Sequence, residues 1–464
     1  MVARHPMCRK LKPLRLNSTF IAAKFLRLYF ARLVLLSIAL PAVAAPTVEE
    51  RIEQLERDTR ELKEASKNSD PKAATQTEIK NLEKELNRLD KKSRQSQKSL
   101  KSWTQTQLNR FDINGYWSTG VSKGSNNTEL GPTGYGEKPN FRADSIVAIQ
   151  LNFHLSEVDQ LVLQLVAPGL DRFEVDAEWA YLSHKVTDDL TLRAGRLRMP
   201  YYFLSETIDI GFTYPWVRPP LEIYVANQPT LEGADLLYKY QAFGWSHLLQ
   251  VIGGTSDFKY EPFESEDPVF GTLTLKLDDN RVLIEEEYSI NTSSSYNDWT
   301  VRLGYSHMFF TNTFRAYLGN TLINELEVNQ RGEYYNSAVQ FDDGDWISIL
   351  ELGIFNAKVV GPIQDNKAGY FMLGHRFGRW VPHATIAKSY SVNDPIASQP
   401  QPKPPITQQS SYSLGVRFDY SPKVALKWQV DRINDFADTK GIFGNDAVVG
   451  DAVTLYSFVI DSVF

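Results

Sequence analysis

The sequence predicts an all-β membrane barrel of about 16 antiparallel strands, with 18 also possible, preceded by a short α-helical coiled coil. Three observations predict this class: the hydrophobic period changes from helical to two at Phe111, tight turns alternate with long polar loops, and the last strand ends at Phe464. No window after residue 44 approaches the about 18 apolar residues that a transmembrane helix needs.

Residues 1–44 are predicted to be a secretory signal peptide. They contain eight basic residues and no acidic residue, followed by the apolar run 33–40 and the small-residue site Ala42-Val43-Ala44. Cleavage after Ala44 would leave 42 basic and 56 acidic residues, a net charge of −14, which argues against a nucleic-acid partner. The single cysteine, Cys8, lies in this segment, so the exported chain would have no thiol catalysis or zinc-thiolate site.

Residues 45–110 are predicted to form a periplasmic coiled-coil segment. They contain no glycine and no aromatic residue before Trp103, and Pro71 separates two helical pieces. Each piece has a seam of mainly apolar residues at heptad spacing. The seam positions are Val48, Ile52, Leu55, Thr59 and Leu62, then Ile79, Leu82, Leu86, Leu89, Ser93, Ser96, Leu100 and Trp103. The alternative is a solvated linker helix that pairs with nothing.

Residues 111–464 are predicted to form the barrel itself. Apolar and polar residues alternate in stretches such as 161–165 and 424–430, a pattern that a soluble sandwich shares. The connections favour a barrel, because short turns such as 156–159 alternate with long loops such as 199–233. The strand number is 16 if residues 270–277 and 314–323 belong to loops, and 18 if both are strands.

The barrel sequence contains three short motifs that point to a known family. They are Phe111-Asp112-Ile113-Asn114-Gly115, the run Leu192-Arg193-Ala194-Gly195-Arg196-Leu197-Arg198-Met199-Pro200, and the ending Phe458-Val459-Ile460-Asp461-Ser462-Val463-Phe464. With the helical segment, these motifs resemble the trimeric outer-membrane porins with an N-terminal periplasmic coiled coil, the dicarboxylate-type and phosphate-selective-like group.

The resemblance implies a homotrimer in the outer membrane of a Gram-negative bacterium, with its coiled coil in the periplasm. It also implies passive diffusion of small hydrophilic solutes, with anions such as dicarboxylates or phosphate among the candidates. In this family the loop after the fifth strand folds into the pore, and here that loop is 199–233. The loop departs from the basic loops of anion-selective members, because its acids Glu206, Asp209, Glu222 and Glu232 accompany Arg218.

Charged residues near the predicted loop are the candidate site, because a pore selects by its diameter and by the charges at its narrowest part. The constriction candidates, expected to face each other as opposed charges, are Arg193, Arg196, Arg198, Arg218, Glu174, Asp176 and Glu178. The period-two pattern also assigns Arg302, Arg417, Lys427 and Asp431 to the lumen.

On the lipid face, Arg or Lys would cost about 2–4 kcal/mol at the bilayer midplane. Arg196 and Arg198 fall on the other face from Arg193, which a kink at Gly195 or a strand already outside the membrane would explain. For each charge, the alternative is a solvated lumen wall with no role in solute selection.

Two other functions compete with a channel. A barrel enzyme of lipase or protease type would need a nucleophile and a base, but the histidines stand in no recognisable spacing with Ser or Asp. We therefore expect no catalytic residue, metal or cofactor. A structural tether acting through the coiled coil would predict a narrow, filled barrel, whereas about 350 residues predict a wide one. The expected partners are membrane lipid, small hydrophilic solutes and further copies of this chain.

Overall fold

The computed structural model describes residues 48–67, 73–108, 110–126, 134–224, 230–259, 263–267, 271–277, 281–319, 321–358, 365–392, 408–434 and 452–464. The predicted signal peptide lies outside these residues. The chain divides into two compact units, residues 1–106 and 107–464. None of the described helices has the length and apolar character needed to cross a membrane.

The first unit contains two helices, α1 (Val48–Lys67) and α2 (Ala73–Leu108). Leu55 and Thr59 are buried, and the seam residues Ile52, Leu82 and Leu86 are half-buried while most charged residues between them are exposed. The two helices contact each other where Lys63 Nζ lies 2.5 Å from Glu83 Oε1. Pairing as a coiled coil stays a prediction.

The second unit is a closed antiparallel β-barrel of 16 strands, which confirms the predicted fold class. In chain order the strands are β1 (Phe111–Gly124), β2 (Ile146–His154), β3 (Asp159–Pro168), β4 (Asp176–Lys185), β5 (Leu190–Arg198), β6 (Thr230–Ala242), β7 (Trp245–Lys259), β8 (Phe263–Asp267), β9 (Gly271–Leu277), β10 (Arg281–Tyr296), β11 (Trp299–Leu318), β12 (Thr321–Asp342), β13 (Trp346–Lys358), β14 (Asp365–His375), β15 (Trp380–Val392), β16 (Gln408–Ser421), β17 (Val424–Asn434) and β18 (Val453–Val463).

Two of these 18 strands lie outside the ring, which resolves the choice between 16 and 18. β7 pairs directly with β10, whereas β8 and β9 form a hairpin whose second strand pairs with β11 at Phe314–Leu318. Residues 271–277 are therefore a strand, but one that extends the long hairpin of β11 and β12 instead of widening the barrel. Residues 314–323 belong to that same hairpin.

The ring closes where β1 pairs with both β2 and β18. Gly115 N–H donates to the Phe464 carbonyl at 3.1 Å, and Phe464 N–H donates to the Gly115 carbonyl at 2.9 Å. A Cβ atom at position 115 would lie 2.7 Å from Cε2 of Phe464, so the terminal ring packs where only a glycine fits. Closure leaves no unpaired edge between the first and last strands.

One end of the barrel, called here the short-turn end, carries the turns at 155–158, 186–189, 243–244, 297–298, 343–345, 376–379 and 422–423. Outward-facing rings pack next to these turns, as in the pairs Trp299 with Phe341 at 4.8 Å and Trp380 with Phe418 at 4.4 Å. Aromatic rings at strand ends are the expected pattern at a membrane interface.

Candidate functional site

The connection between β5 and β6 folds into the barrel, and residues 199–224 of it are described. We call these residues the lumen loop. Prolines at 200, 215, 219 and 220 cannot donate to a strand ladder, which favours an irregular path. The indole of Trp216 is fully buried, and its Nε1–H donates to Thr385 Oγ1 on β15 at 2.8 Å. Since β15 lies halfway round the ring from β5, the loop crosses the whole lumen.

Apolar packing fills the space between the lumen loop and the wall. One buried cluster joins loop residues to inward-facing wall residues, namely Met199, Tyr201, Tyr202, Leu204, Tyr214, Trp216 and Ile223 with Leu197, Leu231, Ile252, Tyr334, Ile347, Ile349, Tyr370, Met372, Val381 and Ala387. Aromatic rings contribute much of the buried area in such cores. The loop is therefore held by a hydrophobic core of its own inside the barrel.

The three arginines of β5 are each paired with acids close by. Arg193 Nε donates to Asp235 Oδ1 on β6 at 2.8 Å. Arg196 Nη1 lies 3.2 Å from Glu232 Oε1, and its Nη2 lies 3.5 Å from Asp176 Oδ2. These pairs join adjacent strands or their ends, and they leave Asp176 and Glu232 largely exposed.

Arg198 connects the same wall to the loop. Its Nη2 donates to Glu178 Oε2 at 3.0 Å and to Asp209 of the loop, and its Nη1 donates to the Ser205 carbonyl at 3.2 Å. Arg193 also contacts the loop, at Glu206. Gly195 between them has a φ of +136°, a conformation that other residues rarely adopt. This kink lets residues of both parities reach the loop, and it was one of the two explanations expected from the sequence.

The predicted inward face of β4 needs correction. The pairing of β3 with β4 shifts register between Gln164 and Leu165, where Glu178 of β4 is an extra, bulged residue opposite no residue of β3. Strict alternation from the predicted inward residues Asp176 and Glu178 would place Tyr181 on the lipid face, but it packs against the lumen cluster and the Arg193 guanidinium lies 5.3 Å from its ring centroid. The strict alternation assumed from the sequence fails because a bulge shifts it by one residue. Glu174 precedes β4 and is exposed.

Arg218 lies on the far wall and not beside the β5 arginines. Its Nε donates to Tyr135 Oη at 2.9 Å and to Asp144 Oδ1 at 3.0 Å, and its Nη1 donates to Asp431 Oδ2 at 2.9 Å. Its Nη2 donates to the hydroxyls of Ser122 and Ser457 at 2.8 and 2.5 Å, and to Asp144 Oδ2 at 2.8 Å. In the described structure, Arg218 therefore does not face Glu174, Asp176 and Glu178 as was expected.

The hydrogen bonds around Arg218 determine the protonation state of Asp144, which lies in the connection between β1 and β2. Burial alone would raise the pKa of Asp144, but the charge of Arg218 and hydrogen bonds from Arg218, Ser122 and Tyr135 outweigh it, and the pKa is lowered. Asp144 therefore stays ionised, and the pair is a charged, hydrogen-bonded anchor for the loop.

The four residues assigned to the lumen from the sequence all contact the lumen loop or its anchor. Lys427 Nζ is fully buried, lies 2.7 Å from Asp461 Oδ2, and donates to the carbonyls of Gly211 and Trp216 at 2.5 and 2.7 Å. Arg417 donates to the Phe212 and Tyr214 carbonyls, and Arg302 donates to the Pro200 carbonyl. Asp431 accepts from Arg218. The three cations bind backbone carbonyls of the loop, and Asp431 binds the side chain of its Arg218.

Glu351 on β13 is a loop contact that was not predicted from the sequence. Its carboxylate is fully buried and accepts from Phe203 N–H at 2.8 Å, Asn336 Nδ2 at 2.9 Å and the Tyr224 hydroxyl. A sequence signal for its inward position exists, since Glu351 alternates with the outward residues Leu350 and Leu352. That pattern places the carboxylate in the lumen but gives no sign that it binds the backbone of a distant loop.

The described residues contain no group of three or more side chains that could hold a metal ion. His247 Nδ1 lies 2.7 Å from Ser294 Oγ, but its Nε2 faces the Ala242 carbonyl at 3.3 Å. Both ring nitrogens thus have partners other than a carboxylate, so this contact is not a catalytic triad.

No protein-family model matches the sequence, and no curated protein sequence matches it. Among solved structures, outer-membrane expressed OmpT of Vibrio cholerae is similar at a TM-score of 0.50 and 11% identity, covering 76% of this chain and 97% of that one. An anion-selective porin from Comamonas acidovorans is similar at a TM-score of 0.46 and 13% identity, covering 76% of this chain and 99% of that one.

The outer membrane channel DcaP of Acinetobacter baumannii is similar at a TM-score of 0.44 and 9% identity, covering 76% of this chain and 97% of that one. At such low identity the likeness concerns the fold alone. The match at a TM-score of 0.50 agrees with the closed 16-strand antiparallel barrel described above.

Proposed function

We propose that this chain is an outer-membrane porin, a channel through which small hydrophilic solutes diffuse passively. The observation that carries the proposal is the lumen loop, which crosses a 16-strand barrel and narrows it from within. A pore narrowed in this way selects solutes by size and by the groups that line the remaining passage. The barrel itself is wide enough to enclose a water-filled path.

Single-channel recording in planar lipid bilayers tests this function. Purified protein should produce discrete, ohmic conductance steps in potassium chloride. A folded protein that produces no conductance would contradict the proposal and would favour the tether alternative. Hydrolysis of a lipid or peptide substrate by the purified protein would favour the enzyme alternative.

We propose further that the mature chain begins near Ala45, with the helical segment and the short-turn end in the periplasm. The basic start and the Ala42-Val43-Ala44 site support cleavage there. N-terminal sequencing of protein purified from outer membranes should read from Ala45. A chain that still contains residues 20–40 would contradict this.

A homotrimer is part of the same proposal. The barrels are expected to associate even without the coiled coil, because serines at the seam positions 93 and 96 weaken that seam. Light scattering of the protein lacking residues 47–103 in detergent should give the mass of three barrels. Monomers would show that the helices are the main assembly element.

We also propose that the solutes include small anions, such as dicarboxylates or phosphate. The β5 arginines are neutralised by their acids, so support comes instead from the short-turn end, where Arg417 pairs with Asp419 and, among the described residues, Arg379 hydrogen-bonds only to a backbone carbonyl. The net charge of −14 predicted for the mature chain favours cations instead, so a measurement of ion selectivity distinguishes the two expectations. In a salt gradient, Arg379→Gln with Arg417→Gln should move the reversal potential toward the cation value; no movement would contradict anion preference.

A further inference from the structure

A cavity of about 400 Å³ opens at the short-turn end, between the tip of the lumen loop and two turns. It is lined by Phe212 of the loop, by Gly378 and Arg379 beside the turn after β14, and by Arg417, Asp419, Ser421 and Pro422 at the end of β16. This volume falls in the range of cavities that bind small organic molecules, about 300–1,000 Å³.

Two arginines of this cavity are held in place and still have free donors. Arg417 Nε donates to Asp419 Oδ1 at 2.7 Å, while its Nη1 donates to the Phe212 and Tyr214 carbonyls at 2.6 and 3.1 Å. Arg379 Nε donates to the Asp419 carbonyl at 2.7 Å. The Arg379 guanidinium also lies 5.2 Å from the ring centroid of Phe418. Within the described part of the chain, the Nη atoms of Arg379 and Nη2 of Arg417 make no hydrogen bond.

The charge of the lining favours an anion. The lining contains two guanidinium groups and one carboxylate, that of Asp419, so it carries an excess positive charge. A guanidinium with free Nη donors binds a carboxylate through parallel hydrogen bonds. Nearby Arg376 does not add to this, because it is engaged by Asp342 at 2.6 Å.

Two further lining residues, Phe212 and Pro422, carry apolar rings. The Arg417 guanidinium lies 4.7 Å from the ring centroid of Phe212, which fixes that ring at the cavity, and Pro422 adds a second apolar ring. Aromatic rings pack favourably against one another with offset or edge contacts. A ligand with one carboxylate and a planar apolar body matches both parts of the lining.

We propose that this cavity binds a small aromatic carboxylate, such as benzoate, with its carboxylate on Arg379 and its ring against Phe212. Arg417 positions Phe212 and contributes its remaining donors. The role of the site as a station on the solute path rests on the proposed channel function, whereas binding itself does not. Such a site would concentrate aromatic acids at the short-turn mouth of the lumen.

Isothermal titration calorimetry of the purified, folded protein with benzoate tests the proposal. Arg379→Gln and Phe212→Leu should each weaken benzoate binding about tenfold or more, as expected for loss of a charged hydrogen bond or a ring contact. The matched control is Lys423→Gln, which removes an exposed charge from the neighbouring turn and should change the Kd less than about twofold. Inorganic phosphate, which has no ring, should bind about tenfold more weakly than benzoate.

Absence of benzoate binding to the wild-type protein would overturn the inference, as would equal Kd values for Arg379→Gln and Lys423→Gln. Phosphate binding as tight as benzoate would overturn the aromatic part. Heat-modifiable mobility on gels confirms that each variant is folded. A protein that conducts but does not bind benzoate would contradict only this inference. A protein that binds benzoate but does not conduct would contradict only the channel function.

Discussion

The lumen loop touches two walls of the barrel, and the two contacts differ in kind. On the near wall, Arg193 and Arg196 pair with acids on β4 and β6, the strands next to their own. On the far wall, Arg218 takes its partners from β1, β17, β18 and the β1–β2 loop, between 74 and 239 residues away in sequence. The pairs of Arg193 with Asp235 and of Arg196 with its acids neutralise charge within the wall, whereas Arg198 on the near wall and Arg218 on the far wall hold the loop.

Burial separates Arg218 from Arg196, whereas the near-wall Arg193 and Arg198 side chains are only 12% and 6% exposed. Arg218 is only 9% exposed and its partners are buried with it. The Arg196 side chain is 30% exposed and its acids are 71% and 58% exposed. Breaking a buried pair leaves an uncompensated charge, while breaking an exposed pair costs little. The position of the constriction should therefore depend on Arg218 more than on Arg196.

Replacing Arg218 should have the largest effect on this comparison. Arg218→Met leaves Asp144 and Asp431 buried without their cation, which costs about 3–5 kcal/mol of folding free energy. The loop should detach from the far wall, so urea unfolding in detergent should shift to lower concentration and single-channel conductance should rise. Unchanged conductance in a folded Arg218→Met protein would show that the far-wall contact does not set the constriction.

Acid should weaken the same contact. Asp144 has a lowered pKa in the folded protein, so its contribution is present above its ordinary value of 3.8 and is lost as pH falls through the lower folded value. Glu222, whose pKa burial raises, acts in the opposite sense: its contribution is fully present below its ordinary value of 4.5 and is lost as pH rises through the folded value.

As the pH is lowered, the urea midpoint should therefore rise between neutral pH and 4.5 and then fall below 3.8. Glu222→Gln should reduce the rise, and Asp144→Asn should abolish the fall that this carboxylate causes. A rise of unchanged size in Glu222→Gln would show that Glu222 does not contribute to it.

The kink between the near-wall arginines gives a smaller expected effect. At Gly195 a Cβ atom would lie 2.8 Å from Tyr181 Cα, and φ is +136°, so Gly195→Ala should cost about 1–3 kcal/mol. The control is Gly344→Ala in a turn, where φ is +94° but a Cβ atom would have no other atom within 4 Å. Urea midpoints that fall equally for both variants would show that the close approach at Gly195 has no consequence.

The smallest effect is expected at the exposed near-wall pair. Arg196→Met should lower stability by less than about 1 kcal/mol, because its partners stay solvated. Conductance should change little, since the loop keeps its contacts to Arg198 and to the far wall. A loss as large as that of Arg218→Met would remove the distinction between the walls.

Much of the architecture could be predicted from the sequence, because period-two patterns and turn lengths are local. The inward positions of Lys427 and Asp431 followed from their apolar neighbours, and the loop after β5 was identified by its length. The partners of Arg218 could not be predicted, because hydrogen bonds between distant segments depend on where the loop comes to rest. The bulge at Glu178 was missed because alternation alone gives no sign of an extra residue.

Covalent capture of the loop tip tests most directly that the lumen loop lies across the barrel. A Cβ atom at Gly211 would lie 2.8 Å from Cγ of Asp461 on β18, a spacing that suits a disulfide, and the only natural cysteine is Cys8 in the predicted signal peptide. Gly211→Cys with Asp461→Cys, combined with Lys427→Met so that no buried cation is left unpaired, should form this disulfide on mild oxidation, seen by mass spectrometry, in a folded protein. If both thiols stay free and react with maleimide, the loop does not lie across the barrel.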